Sequence, residues 1–162
     1  MYIERQLEKK FIAVSEEYAC VLLTGPRQVG KSTMLRHLME GTGTSRGFRL
    51  DDLEERRLAK TDPAMFLKLH PAPVLIDEVQ YAPELFSYIK IAVDNGAAPG
   101  SYWLTGSQAY RLMELAQESL AGRTAILHMS ALSQSELCGA MEVSPFSLEL
   151  DELQKRKAVL SP

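Results

Sequence analysis

Apolar residues follow two alternating rhythms along this chain. Ile3, Leu7, Phe11 and Val14 recur at helical spacing, which predicts an amphipathic helix over residues 3 to about 17. Ala19-Cys20-Val21-Leu22-Leu23-Thr24 is apolar almost throughout and closed by Gly25, the pattern of a strand covered on both faces. Met34, Leu35, Leu38 and Met39 return to helical spacing, which Gly41-Thr42-Gly43 ends. The alternation then repeats. Gly47 to Leu50 predicts a second strand, Pro73 to Asp77 a third, Ser101 to Thr105 a fourth and Thr124 to Met129 a fifth. After the second strand, a charged stretch from Asp51 to Lys60 leads to Asp62-Pro63, an N-cap followed by a first-turn proline. Pro83 opens a helix carrying Leu85, Phe86, Ile89 and Val93, stopped by Asn95-Gly96. Residues 109 to 120 predict another helix, and Ser133-Gln134-Ser135-Glu136 has the form of a capping box. Five strands separated by helices predict an α/β domain with a mainly parallel sheet.

Composition narrows the class. The chain has 162 residues, 46% of them hydrophobic, enough for one domain with a sizeable core. Charged residues make up 24%, which argues against disorder throughout. With 18 Lys+Arg against 21 Asp+Glu, the net charge of −3 offers no strongly basic surface for nucleic acid. No apolar run approaches the roughly 18 residues of a membrane-spanning helix. Met1-Tyr2-Ile3-Glu4-Arg5 is charged where a signal peptide needs an apolar core, so a cytoplasmic location with no membrane partner is expected. Cys20 and Cys138, without a CxxC or a Cys/His cluster, predict neither a disulfide framework nor a zinc site. His37, His70 and His128 share no ligand-like spacing and read as packing or surface residues. Residues 1–140 are expected to form the core, and residues 141–162, with Pro145 and Lys155-Arg156-Lys157, a tail.

Candidate chemistry lies at the strand ends. Gly25-Pro26-Arg27-Gln28-Val29-Gly30-Lys31-Ser32 fits GxxxxGK[ST] without a gap. At average residue usage, chance would supply such a match roughly once in a couple of hundred chains of this length. The motif also stands between a buried-strand pattern and a helical one, where its chemistry requires it. Glycines let the backbone curl so that N–H groups point at phosphate oxygens, and the helix starting near Lys31 adds its positive end. Gly25, Pro26, Arg27, Gln28, Val29, Gly30, Lys31, Ser32 and Thr33 are the candidate nucleotide-binding residues. Lys31 would reach the β- and γ-phosphates and Ser32 would offer its hydroxyl to Mg²⁺. Val74-Leu75-Ile76-Asp77-Glu78 is an apolar strand ending in two carboxylates on the rim where open α/β sheets bind ligands. Asp77 is the candidate metal residue, directly or through water, and Glu78 the candidate general base. A glutamate beside the aspartate argues for hydrolysis over transfer to a second substrate.

Other positions carry two readings each. Ser107 and Gln108, after the fourth strand, reach the attacking water or γ-phosphate, or Ser107 caps the next helix. Arg123, before the fifth strand, serves a neighbouring subunit's nucleotide as an arginine finger, or is a cation favoured near a helix C-terminus. Arg5 touches nucleotide or solvates the first helix, the second reading being preferred, and Glu54-Glu55-Arg56-Arg57 reads as a solvated helix face.

Leu22 to Ser32, Leu75-Ile76-Asp77-Glu78-Val79-Gln80, Leu104-Thr105-Gly106-Ser107 and Ser119-Leu120-Ala121-Gly122-Arg123 occur in an order that resembles a known family. These are the bacterial and archaeal AAA+ ATPases with a GPRQVGKS/T loop and a DEIQ-type acidic motif. Leu50-Asp51-Asp52 and Leu132-Ser133-Gln134-Ser135-Glu136 look like further landmarks, so the resemblance runs from about residue 2 to residue 140. It implies a P-loop NTPase fold of three layers, α/β/α, with a five-stranded sheet in the order 5-1-4-3-2. It implies ATP or ADP with Mg²⁺, Ser107 at a sensor position, and Arg123 acting in trans within a homo-oligomer. A helical lid and a C-terminal domain are implied beyond the matched region, with residues 141–162 leading toward them. The expected function is Mg²⁺-dependent binding and hydrolysis of ATP, coupled to a protein partner or an attached domain. One alternative is a nucleotide-gated module without turnover that joins a protein or DNA. A small-molecule kinase is the other; only Arg111 and Arg123 between the fourth strand and the tail could serve its arginine-rich lid.

Overall fold

In the computed structural model, which describes residues 2–41, 47–108, 110, 112–114 and 120–139, the five strand patterns pair into one sheet. The elements are α1 (Leu7–Glu17), β1 (Cys20–Thr24), α2 (Lys31–Gly41), β2 (Gly47–Arg49), α3 (Leu53–Thr61) and α4 (Pro63–Leu69). They continue with β3 (Val74–Asp77), a 3-10 turn (Val79–Tyr81), α5 (Leu85–Asp94), β4 (Tyr102–Gly106), β5 (Thr124–His128) and α6 (Gln134–Leu137). The sheet order is β2-β3-β4-β1-β5, which from the other edge is the implied 5-1-4-3-2. Every pairing is parallel, with Leu22 opposite both Leu104 and Ile126 and Arg49 opposite Asp77.

Alternate side chains of β1 feed two separate cores, as a strand covered on both faces must. Cys20 and Leu22 pack with Leu50, Ala59, Phe66, Leu85, Phe86 and Ile89 beneath α3, α4 and α5. Val21 and Leu23 pack with Phe11, Met34, Leu35 and Trp103 beneath α1 and α2. This is the three-layer α/β/α arrangement. Phe11 and Trp103 meet edge to face with ring centroids 4.9 Å apart, and Phe11 is fully buried. Burying a side chain of this kind stabilises the fold by roughly 1.5–3 kcal/mol. Burial pushes the Cys20 thiol up to about 12, so it stays protonated and acts as a small core residue.

Helix ends follow the local chemistry. Asp52 accepts from the N–H groups of Glu54 (2.9 Å) and Glu55 (3.2 Å), so the charged stretch becomes α3. Asp62 accepts from Met65 N at 2.9 Å ahead of α4, with Pro63 in the first turn. The capping box forms: Glu136 N donates to Ser133 Oγ at 3.2 Å, and Ser133 N to Glu136 Oε2 at 2.7 Å.

Two expectations change. The first helix starts at Leu7, not at residue 3, because Arg5 N donates to Glu8 Oε1 at 2.6 Å and the Arg5 side chain turns inward. Arg5 does not solvate that helix: it is only 6% exposed. The three histidines fall into the expected packing and surface roles: His70 is half-buried with Nε2 2.9 Å from Glu55 Oε2, while His37, against the Tyr2 ring, and His128, with Nδ1 3.3 Å from Thr24 Oγ1, are exposed. Of the helix expected over 109–120, residues 110, 112–114 and 120 are described and helical. The expected tail, 141–162, lies outside the described residues. Among the described residues no helix is long and apolar enough to cross a membrane.

Candidate functional site

Because all five strands run the same way, Thr24, Arg49, Asp77, Gly106 and His128 end at one edge of the sheet. The loop from β1 to α2 curls over that edge. Gly25 begins it at φ 148°, and a side chain there would collide with the Met129 carbonyl. Gln28 at φ 63° and Gly30 at φ 96° complete the curl. Lys31, only 5% exposed, folds back under it and donates to Gly25 O (2.9 Å) and Pro26 O (2.7 Å). Burial draws its pKa below the ordinary lysine value, although Glu78 and Asp77 pull it upward. The first N–H groups of α2 have no acceptor within the helix; Met34 N, which donates to Gly30 O at 2.9 Å, is the first to close a turn. Those free donors and the positive end of the helix face the loop interior.

The end of β3 supplies the opposite charge. Asp77 is 2% exposed, and its Oδ1 accepts from Ser32 Oγ and Thr105 Oγ1, each at 2.7 Å. Its Oδ2 faces Arg36 Nη2 at 3.6 Å and Arg49 Nε at 3.7 Å. Glu78 sits in the left-handed region (φ 59°, ψ 45°), uncommon for any residue but glycine. Its Oε2 accepts from Ser107 Oγ at 3.1 Å and from the Gln80 amide. That amide lies against Gly106, where a side chain would collide with it, and Gln80 Oε1 is buried with no partner among the described residues. Arg27 Nε reaches Ser107 Oγ at 3.5 Å, so the loop, Ser107 and Glu78 are joined. Lys31, Ser32, Thr33 and Glu78, with Gln28, Gly30, Arg36 and Arg49, line a cavity of about 300 Å³.

The donor set can be tested against Mg²⁺. Ser32 and Asp77 offer one hydroxyl and one carboxylate within 2.7 Å of each other. No group of three His, Cys, Asp or Glu side chains that could hold a metal converges among the described residues. Such a site cannot cage an ion alone. It suits a hard, octahedral cation that keeps waters and takes its remaining ligands from phosphate, which is how Mg²⁺ binds.

The fold therefore brings together Gly25 through Thr33, Asp77, Glu78 and Ser107. Gln108 is exposed and its carbonyl accepts from Leu112 N at 3.0 Å. Arg123 is not brought there. It precedes β5, whose first residue pairs with Cys20 at the start of β1, so it lies at the opposite edge of the sheet. It pairs with Asp94 and donates to Ala121 O at 3.1 Å. Arg36, Arg49, Thr105 and Gln80 were not singled out by sequence. Arg49 and Thr105 matter because β2 and β4 flank β3, so their roles follow from the strand order and not from any motif of their own; Gln80 had a signal, its place two residues after the acidic pair.

Residues 17–138 match the family described as an AAA domain. Two uncharacterized proteins, one from Mycobacterium bovis and one from Mycobacterium tuberculosis, are each 36% identical over 113 residues. The match takes in 70% of this chain and 25% of each relative, so the chain spans about a quarter of the length of these curated relatives. With its sheet order, its phosphate loop and a match over most of its length, the chain belongs to the AAA domain family of ATPase-type, nucleotide-binding proteins.

Proposed function

We propose that this domain binds ATP with Mg²⁺ in the 300 Å³ cavity and hydrolyses it, changing the state of a partner or an attached domain. The observation that carries this reading is the convergence of Lys31 and Ser32 from one chain segment and Glu78 from another on one cavity, with Asp77 beside Glu78 bonded to Ser32. Lys31 exchanges its two loop carbonyls for β- and γ-phosphate oxygens, and the free N–H groups of the loop and α2 take the rest. Ser32 and Asp77 would hold Mg²⁺, which would supply charge neutralisation on the phosphates. Glu78 accepts a proton from water as the water oxygen attacks the γ-phosphorus in line, and ADP leaves on the opposite side. Ser107 and Gln80, both bonded to the Glu78 carboxylate, orient it. Arg123 completes the charge neutralisation only from a second copy of the chain, since it is remote from its own cavity.

Calorimetric titration with Mg²⁺-ATP, Mg²⁺-ADP and Mg²⁺-GTP, with phosphate release followed in parallel, tests this. Tight adenine-nucleotide binding with phosphate release supports it; a folded chain that binds no nucleotide refutes it. A nucleotide-gated module without turnover has one observation in its favour, the engagement of Glu78 by two side chains. Binding of ATP without phosphate release would establish that reading.

A further inference from the structure

Among the described residues, Arg5 alone of the arginines is buried, and the mechanism above does not use it. Its guanidinium donates in three directions. Nε meets Glu136 Oε1 at 3.0 Å, Nη1 meets Val29 O at 2.7 Å, and Nη2 meets Ser130 O at 2.8 Å. The acceptors belong to the cap of α6, the phosphate loop and the exit of β5. Glu136 Oε1 also accepts from Gln6 N at 2.9 Å, and Oε2 takes Ser133 N, so both carboxylate oxygens are engaged. A planar fork with fixed donor directions meets three such acceptors; a lysine ammonium cannot.

The contact with Val29 has a consequence for the loop. A trans peptide holds its C=O and N–H on opposite sides. Fixing the Val29 carbonyl toward Arg5 therefore turns the Gly30 N–H to the other side, and Gly30 lines the cavity. Arg5 Nη1 also lies 3.6 Å from where a side chain on Gly30 would begin. A buried ion pair adds little stability that apolar residues of similar volume would not also give. Orienting one peptide is something apolar residues could not do.

We propose that Arg5 is a positioning residue for phosphate binding: it presets the Val29–Gly30 peptide and, through Glu136 and Ser130, ties the loop to the segment leading into α6. This rests on the nucleotide-binding reading, and the test separates the two. Arg5→Lys keeps a charge for Glu136, and the pair Arg5→Met with Glu136→Gln leaves no buried charge unpartnered, so one of them folds even where Arg5→Ala does not. For each, circular dichroism reports the fold, calorimetry the affinity for Mg²⁺-ATP and Mg²⁺-ADP, and amide hydrogen exchange the mobility of residues 25–33. Both affinities should fall about tenfold, the loss of one charge-assisted donor, with faster exchange in the loop and no rescue by lysine. Affinities within about twofold of wild type in a folded variant overturn the proposal, whatever happens to thermal stability. Should the wild type bind neither nucleotide while the variants still exchange faster in the loop, the functional reading fails and the positioning role stands. Unchanged exchange would remove that as well.

Discussion

The two edges of the sheet make an instructive pair. At the amino edge lies the larger cavity, about 420 Å³, bordered by Ile12, Met39, Pro73, Pro99 and Trp103. Its polar neighbours do not converge: Ser15 Oγ is occupied by Ile12 O at 2.8 Å, and the Trp103 indole N–H is buried without a partner among the described residues. At the carboxyl edge a smaller cavity of about 300 Å³ gathers Lys31, Arg36 and Arg49 against Asp77 and Glu78. Cavity size does not separate them. What does is the direction of the strands, which delivers their last residues and the free N–H groups of α2 to one side only.

Changes at the carboxyl edge should therefore act on chemistry and those at the amino edge on packing. The largest effect is expected from Glu78→Gln: phosphate release in a coupled assay should fall by roughly 10²–10⁴ while ATP still binds. Gln fits here because it preserves the shape that Ser107 and Gln80 hold. Lys31→Ala comes next, with calorimetry showing adenine-nucleotide affinity reduced on the order of 100-fold. Equal affinity in this variant would move the phosphate site away from the loop. Trp103→Phe, at the other edge, should leave nucleotide affinity unchanged. Its urea midpoint should report a stability change under about 1.5 kcal/mol, because losing an unpartnered N–H offsets part of the lost volume.

The effect read through pH concerns Glu136. Burial alone would raise its pKa, but the N–H groups of Ser133 and Gln6 and the Arg5 guanidinium outweigh that and hold it below the ordinary 4.5. A folded-state pKa below the unfolded one gives stability that is complete above about 4.5 and is lost as pH falls through the lowered value. Urea denaturation of Glu136→Gln beside wild type should thus show a gap at neutral pH that narrows steadily in acid. A gap independent of pH would mean that the carboxylate charge contributes nothing.

How legible all this was depends on sequence distance. The strands could be read because each is a short apolar run with a turn residue at its end, and the loop because its residues are contiguous. Asp77 and Glu78 were legible for the same reason, and Asp52 and Asp62 cap helices through neighbours two or three residues away. Arg5 was misread because its partners lie 24, 125 and 131 residues downstream, while the local spacing of Ile3 and Leu7 extends the helical pattern over it. The roles of Arg49 and Thr105 depend on β2 and β4 flanking β3, which no local pattern encodes. Arg123 was legible as an arginine before a strand, but the edge on which it falls follows only from the parallel register.

On the proposed function, the two bonds from Lys31 to the carbonyls of Gly25 and Pro26 would make nucleotide entry an exchange rather than an addition. The ammonium is already desolvated and already bonded, so an arriving phosphate would displace two neutral acceptors instead of a hydration shell. The gain is the difference between a charged and an uncharged acceptor, smaller than a count of new contacts would suggest. By the same swap run backwards, a departing phosphate would leave behind a lysine with two acceptors at hand in its own loop.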